Sequence, residues 1–236
     1  AIGGQRANAL FFAGDLGQRI FQSPFSWKSL GVDVRGRSKT LTINYRTSHQ
    51  IRSQADRLLG PSIADVDGNV EVRKGTVSVF NGPSPIVIRA RDEHSEAERV
   101  ALWIKEHNAD GVIAGEIGVF VRSDEQLPRA IEAIVRTGLP YRILSLNKEP
   151  VTSEVTVCTM HHAKGLEFKA VAVMACDDEI IPWQERIEEV SDDADLEEVY
   201  NTERHLLYVA ATRARDFLLL SSGGSPSEFL DDFDGA

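Results

Sequence analysis

The sequence predicts an α/β protein: a three-layer arrangement with a mainly parallel β-sheet between helices. Three observations predict it. Short apolar runs with strand character recur along the chain. Between them lie stretches whose apolar residues fall at helical spacing. Strand and helix alternate through most of the length, a rhythm that calls for parallel strands joined by crossover helices.

In chain order, the apolar run at 10–13 reads as a buried strand entering the Gly14-Asp15 loop, and 21–38 is aromatic, basic and turn-rich. A strand at 40–43 precedes Asn44, Tyr45 and Arg46, and Ser48 is placed to N-cap a helix reaching about Leu59. Short strands at 77–80 and 86–88 flank a Gly-Pro turn. Ala97, Val100, Ala101 and Ile104 mark a helix over 93–107. A strand at 117–121 is followed by a helix over 124–137, with Gly138 as its stop. Strands at 141–144, 155–160 and 170–175 come next. The acidic segment 177–198 reads as a solvated loop or as a partner-docking element, the loop being favoured. A helix through Leu206, Val209 and Ala210 then leads to a strand at 217–220.

The chain has 236 residues, 42% hydrophobic and 26% charged, enough for one large domain or one domain and part of another. It holds no run of about 18 apolar residues, so no membrane-spanning helix is expected. The start, Ala1-Ile2-Gly3-Gly4, does not read as a signal peptide, and without Met it suggests a piece of a longer, cytoplasmic chain. Cys158 and Cys176 sit in apolar surroundings and read as buried reduced thiols.

The formal net charge of −10 taken alone speaks against a nucleic-acid partner, but its distribution is uneven. Residues 1–60 carry nine Lys or Arg against three Asp, a local charge of +6, and the rest of the chain carries −16. Such asymmetry fits a local phosphate-binding face on an acidic body, or an uneven solvated surface.

Ligands of parallel sheets bind at the carboxyl ends of strands, which directs attention to the residues at strand exits. Four clusters stand out: AGDLGQRIF at 13–21, LTINYRT at 41–47, TMHHAKGLEF at 159–168 and ERHLLYVAATRAR at 203–215. Each offers groups suited to a polyphosphate: a Gln amide, Arg forks, or backbone N–H laid open by glycine. His161 and His162 are adjacent and point apart, so they do not read as a zinc pair.

Taken in order, these clusters resemble motifs III, IV, V and VI of the UvrD/Rep family of superfamily 1 DNA helicases, over about residues 9–221. The resemblance implies a RecA-like (P-loop NTPase-like) fold. Residues 1–38 would be the end of a first RecA-like domain and 39–236 a second one, with the family's large helical insertion reduced to about 145–153 or absent. It further implies that Gln18 senses the γ-phosphate, Tyr45 stacks on adenine, and Arg46 reaches the γ-phosphate. Gly165 and Glu167 would bind nucleotide, and Arg213 would be an arginine finger. The resemblance places the DNA contacts at Phe21, Trp27, Thr159 and His161, with Phe25 and Lys164 as further candidates. Where the family has Trp-Arg, this chain has Trp27-Lys28.

The chain contains no Gly-Lys dipeptide and hence no phosphate-binding loop. It also has, ahead of motif III, no apolar strand ending in the Asp-Glu pair that holds magnesium in the family. ATP and Mg²⁺ are therefore expected as cofactors of a longer protein, whose preceding RecA-like domain is a partner of this one; little hydrolysis is expected from this chain alone. Single- or double-stranded DNA is the expected polymer partner and 3′–5′ movement the expected polarity. The alternative is a non-catalytic helicase-like module that binds DNA or a protein.

Overall fold

The computed structural model describes residues 15–18, 20, 26, 28–32, 39, 41–64, 70–72, 75–144 and 152–234. The expected strand at 10–13, the rings Phe21, Phe25 and Trp27, and most of the 145–153 stretch lie outside these residues.

The chain forms β1 (Ile43–Asn44), α1 (His49–Leu59), β2 (Ser62–Ala64), β3 (Val70–Val72), β4 (Val77–Ser78) and β5 (Ile86–Arg89). Then come α2 (Glu93–Ala109), β6 (Ile117–Val121), α3 (Leu127–Thr137), β7 (Tyr141–Ile143), β8 (Val155–Thr159) and β9 (Phe168–Val173). The last elements are α4 (Gln184–Glu188), α5 (Asp193–Ala211) and β10 (Ala214–Ser222), followed by a 3-10 turn at Glu228–Phe233.

Six strands form one sheet in the order β5-β10-β9-β6-β8-β7, and every neighbouring pair is parallel. Alternation in the sequence sets which face each strand residue takes. Phe120, Cys158, Val171, Val173, Leu218 and Leu220 turn to one face, where α1, α5 and the Glu228–Phe233 turn cover them. Val119, Val121, Val155, Val157, Ala170, Ala172 and Leu219 turn to the other, under α2 and α3. With both faces covered, the strands read as near-continuous apolar runs. Residues alternate between the two cores with the period of two that extended chain imposes.

Local signals set the ends. The Ser48 hydroxyl accepts the Ile51 amide at 3.4 Å and opens α1. Gly138, at φ 78°, closes α3 in the left-handed conformation. The acidic segment differs from expectation. Much of it is α4 and the first turn of α5, capped by Asp192, whose carboxylate accepts the amides of Ala194 and Asp195 at 2.9 Å. Its acids serve as a helix start, where negative charge is favoured by the helix dipole. Ile181 in the same segment is fully buried. A small antiparallel pair, β2 with β3, and a parallel pair, β1 with β4, stand beside the main sheet.

Cys158 and Cys176 are buried free thiols. Burial pushes the Cys158 thiol up to about 12, so it carries no thiolate at neutral pH.

Candidate functional site

The segments at 44–48, 159–168 and 208–215 meet through backbone bonds. The amide of Ser48 donates to the carbonyl of Arg215 at 3.0 Å. The amide of Phe168 donates to the carbonyl of Arg213 at 3.0 Å. The hydroxyl of Thr47 lies 3.5 Å from the carbonyl of Thr212. Three stretches far apart in sequence thus share one edge.

Arg213 is at the centre of that edge, with its side chain fully buried. Its Nε donates to the carbonyl of Val209 at 2.9 Å, its Nη1 to the carbonyl of Leu166 at 3.3 Å, and its Nη2 lies 3.4 Å from the Thr212 hydroxyl. Burial first, and then the charge of Arg46, hold its pKa down to about 10, while Tyr208, Asp15 and Glu167 act the other way. Arg46, Asp15, Glu167 and Arg213 therefore lie in one electrostatic neighbourhood. Its two guanidinium groups disfavour each other in the absence of an anion.

Around this centre each predicted residue has a local reason for its place. The Asn44 side chain accepts the amides of Arg46 at 2.8 Å and Thr47 at 3.2 Å, forming a turn that presents Tyr45 and Arg46. Tyr45 is 68% exposed, an open ring face beside the charged cluster. Gly165 holds φ +89°, with open space where a Cβ would lie. The Leu16–Gln18 turn packs against α5. Within that turn the Asp15 carboxylate accepts the Gly17 amide and the Gln18 amide group, each at 2.8 Å.

One expectation needs correction. These groups do not lie at the carboxyl ends of the central strands. Glu167 and Arg213 stand directly before β9 and β10, at the amino ends. Thr159 is level with Val121, whereas Phe168 pairs with Ala214 at the opposite edge. The two edges are roughly 20 Å apart at about 3.3 Å per residue. The cause is topological: a parallel connection must return the chain to the starting edge, so the 159–168 segment carries groups to both edges.

The carboxyl edge holds the second set. Thr159 ends β8 with its side chain buried, and its hydroxyl lies 3.1 Å from His162 Nδ1. His161 is half-buried in the Met160–Ala163 turn. Burial, and then the charge of Arg122, hold its pKa below the ordinary histidine value, with Glu203 opposing and His162 and Arg186 adding.

Arg122 and Glu203 were not foreseen. Arg122 follows β6 and donates to both oxygens of Glu203 on α5, at 2.6 Å each. Both side chains are essentially buried. The Trp183 ring lies 5.0 Å from the Arg122 guanidinium, and Arg186 lies 3.6 Å from Glu203. A second network joins Arg129 to Glu96 and, at 2.6 Å, to Asp177. Glu96 accepts the Ser221 hydroxyl at 2.6 Å and the Ala175 amide at 3.0 Å. The missed signal was a carboxylate on an apolar stripe. Glu96 shares a helix face with Val100 and Ile104, and Glu203 shares one with Val199 and Leu207.

The basic excess of residues 1–60 is partly spent on internal contacts. Arg52 pairs with Asp56 at 2.8 Å, and Arg57 donates to the carbonyl of Asp234 at 3.0 Å. Among the described residues no group of three or more His, Cys, Asp and Glu is arranged to hold a metal ion, and no helix is long and apolar enough to cross a membrane.

The six-stranded parallel sheet with helices over both faces is a RecA-like α/β fold, with charged groups at both of its edges. Comparison with known proteins adds to this: residues 144–224 match the model of the UvrD-like helicase C-terminal domain. It is similar to the ATP-dependent DNA helicase PcrA of Staphylococcus epidermidis, with 33% identity over 99 residues, 37% of this chain and 13% of that protein. It is 48% identical over 69 residues to the putative ATP-dependent DNA helicase YjcD of Bacillus subtilis, covering 28% of this chain and 9% of the relative. It is 44% identical over 75 residues to the ATP-dependent DNA helicase Srs2 of Schizosaccharomyces pombe, covering 32% and 7%. The matches thus span a small part of each relative's length. The solved C-terminal domain of a possible DNA helicase from Lactobacillus plantarum shares the fold, with a TM-score of 0.55 and 20% identity over 81% of this chain and 94% of that one.

Proposed function

We propose that this chain supplies the second half of the motor of an ATP-dependent DNA helicase or translocase. One observation carries the reading: buried Arg213, held by the carbonyls of Val209 and Leu166, feels the charges of Arg46, Asp15 and Glu167. A polyphosphate placed there relieves the repulsion between Arg46 and Arg213. Arg213, fixed by two carbonyls and stripped of water, presents a preorganised charge to the γ-phosphoryl group as negative charge develops. Fingers of this kind are worth about 10³–10⁵ in rate, through electrostatic positioning without a covalent step. Tyr45 stacks on the base, Arg46 meets the γ-phosphate, Gly165 and Glu167 border the nucleotide, and Gln18 senses the γ-phosphate from the Leu16–Gln18 turn.

In this reading residues 1–38 finish a preceding RecA-like domain and residues 39–236 form the second. The preceding domain holds the β-phosphate and Mg²⁺, since this chain has no Gly-Lys loop. Bound there, the ion would supply charge neutralisation for the transferred phosphoryl group. DNA passes along the carboxyl edge, contacted at Thr159 and His161 and stacked on Phe21 and Trp27. The setting is cytoplasmic.

The test is DNA-stimulated ATP hydrolysis by the full-length protein, wild type against Gln18→Ala and Arg213→Ala. The reading expects both variants to be impaired, Arg213→Ala the more severely. Equal rates in all three remove the assigned roles.

A further inference from the structure

Arg122 and Glu203 form the most deeply buried side-chain ion pair joining the sheet to α5 among the described residues, and nothing in the nucleotide reading uses them. Arg122 leaves the carboxyl end of β6, and Glu203 is fully buried on α5. Two 2.6 Å bonds lock the guanidinium fork onto the carboxylate, a geometry that fixes direction as well as distance. The Trp183 ring covers the fork at 5.0 Å. The Met160–Ala163 turn touches both β6 and α5, so the pair spans the seat of that turn.

A buried ion pair is a poor stabiliser, because desolvation offsets much of the attraction. What it provides here is a fixed seat. His161 feels Arg122 more strongly than any other charge, then Glu203, His162 and Arg186. Charges from β6, α4 and α5 and from its own turn thus surround the imidazole.

We propose that Arg122 and Glu203 are positioning residues for the nucleic-acid contact of the Met160–Ala163 turn: by tying β6 to α5 across that turn, they set where His161 meets the DNA backbone. This rests on the reading of His161 as a DNA contact. Neither Arg122 nor Glu203 touches DNA in this account.

The test is a double-mutant cycle in the full-length protein. The readout is the oligothymidylate concentration that half-saturates ATPase stimulation, alongside kcat at saturation and the melting temperature. His161→Ala and Arg122→Gln are each expected to raise half-saturation about 5- to 20-fold, with a smaller change in kcat. The combination is expected to do no worse than His161→Ala alone. Since Arg122→Gln leaves the buried Glu203 with only the longer Arg186 contact at 3.6 Å, the volume-matched pair Arg122→Met with Glu203→Leu is measured too; it is expected to fold and to raise half-saturation similarly. Multiplying effects in the double variant overturn the proposal, because Arg122 then acts independently of His161. A lowered melting temperature with unchanged half-saturation also overturns it, leaving a structural role alone. If His161→Ala itself leaves half-saturation unchanged, the DNA reading of His161 falls and takes the proposal with it.

Discussion

Arg213 donates from Nη1 to the backbone carbonyl of Leu166 at 3.3 Å, so the guanidinium is held by the loop that carries Gly165 and Glu167. The last strand's entry and the 165–168 end of the preceding segment are therefore one structural unit at the amino edge of the sheet. A shift in either moves the charge offered to a nucleotide.

Tyr45 divides binding from chemistry. Its ring is 68% exposed, so truncation leaves the fold within about 0.5 kcal/mol. In the full-length protein Tyr45→Ala is expected to raise the KM for ATP about 5- to 50-fold, in line with a stacked base worth about 1–3 kcal/mol. Tyr45→Phe should stay near wild type. Steady-state ATPase kinetics check this, and an unchanged KM for Tyr45→Ala removes the stacking role.

Two glycines fail for different reasons when changed to alanine. At Gly118 an added Cβ would come within 2.8 Å of the Phe120 ring and 2.9 Å of the Phe168 ring. Overpacking of this kind costs about 1–3 kcal/mol. Gly165 has open space around it but φ +89°, so Gly165→Ala costs about 1–2 kcal/mol in backbone strain alone. Urea midpoints should fall for both. Only Gly165→Ala should also impair nucleotide binding in the full-length protein once the stability loss is allowed for.

The pH dependence of stability has a histidine component. Burial and Arg122 hold His161 below its ordinary value of 6.5. The unfolded chain therefore takes up the proton first, and the folded state loses stability as pH falls below 6.5. On the proposed DNA reading, a neutral His161 would meet a phosphate as an N–H donor. Thermal melts of wild type and His161→Gln between about pH 5 and pH 8 should diverge at the acid end, with the variant less sensitive. Parallel curves contradict this.

Arg129 compensates two buried or nearly buried acids at once, Glu96 and Asp177. Arg129→Met leaves Glu96 without its cation and is expected to cost about 3–5 kcal/mol. Adding Glu96→Gln should recover a substantial part of that. Denaturant titration of the three proteins measures it, and additive losses would show that the two side chains do not act as a pair.

The sequence displayed what depends on neighbours along the chain. Ser48 ahead of α1, Gly138 behind α3 and the apolar runs of β6, β8 and β9 set their elements by local physics, and the structure follows them closely. The pairing of Phe168 with Arg213, and of Arg122 with Glu203 across 81 positions, depends on which strands become neighbours. No local propensity encodes that. The edge on which Glu167 and Arg213 stand was misjudged for the same reason: the carboxyl-edge rule describes most parallel sheets, whereas here the return of the chain before β9 and β10 carries the charged groups to the other side. The β2–β3 hairpin went unread because its strands are only three residues each.

The most direct test of the account is single-turnover ATP hydrolysis by the full-length protein with DNA present, wild type against Arg213→Lys. Lysine keeps the charge but lacks the planar fork that the carbonyls of Val209 and Leu166 hold in place. The account predicts a fall of about 100-fold or more in the chemical step, with ATP affinity changed by less than about 5-fold. A chemical step that proceeds at the wild-type rate would contradict it.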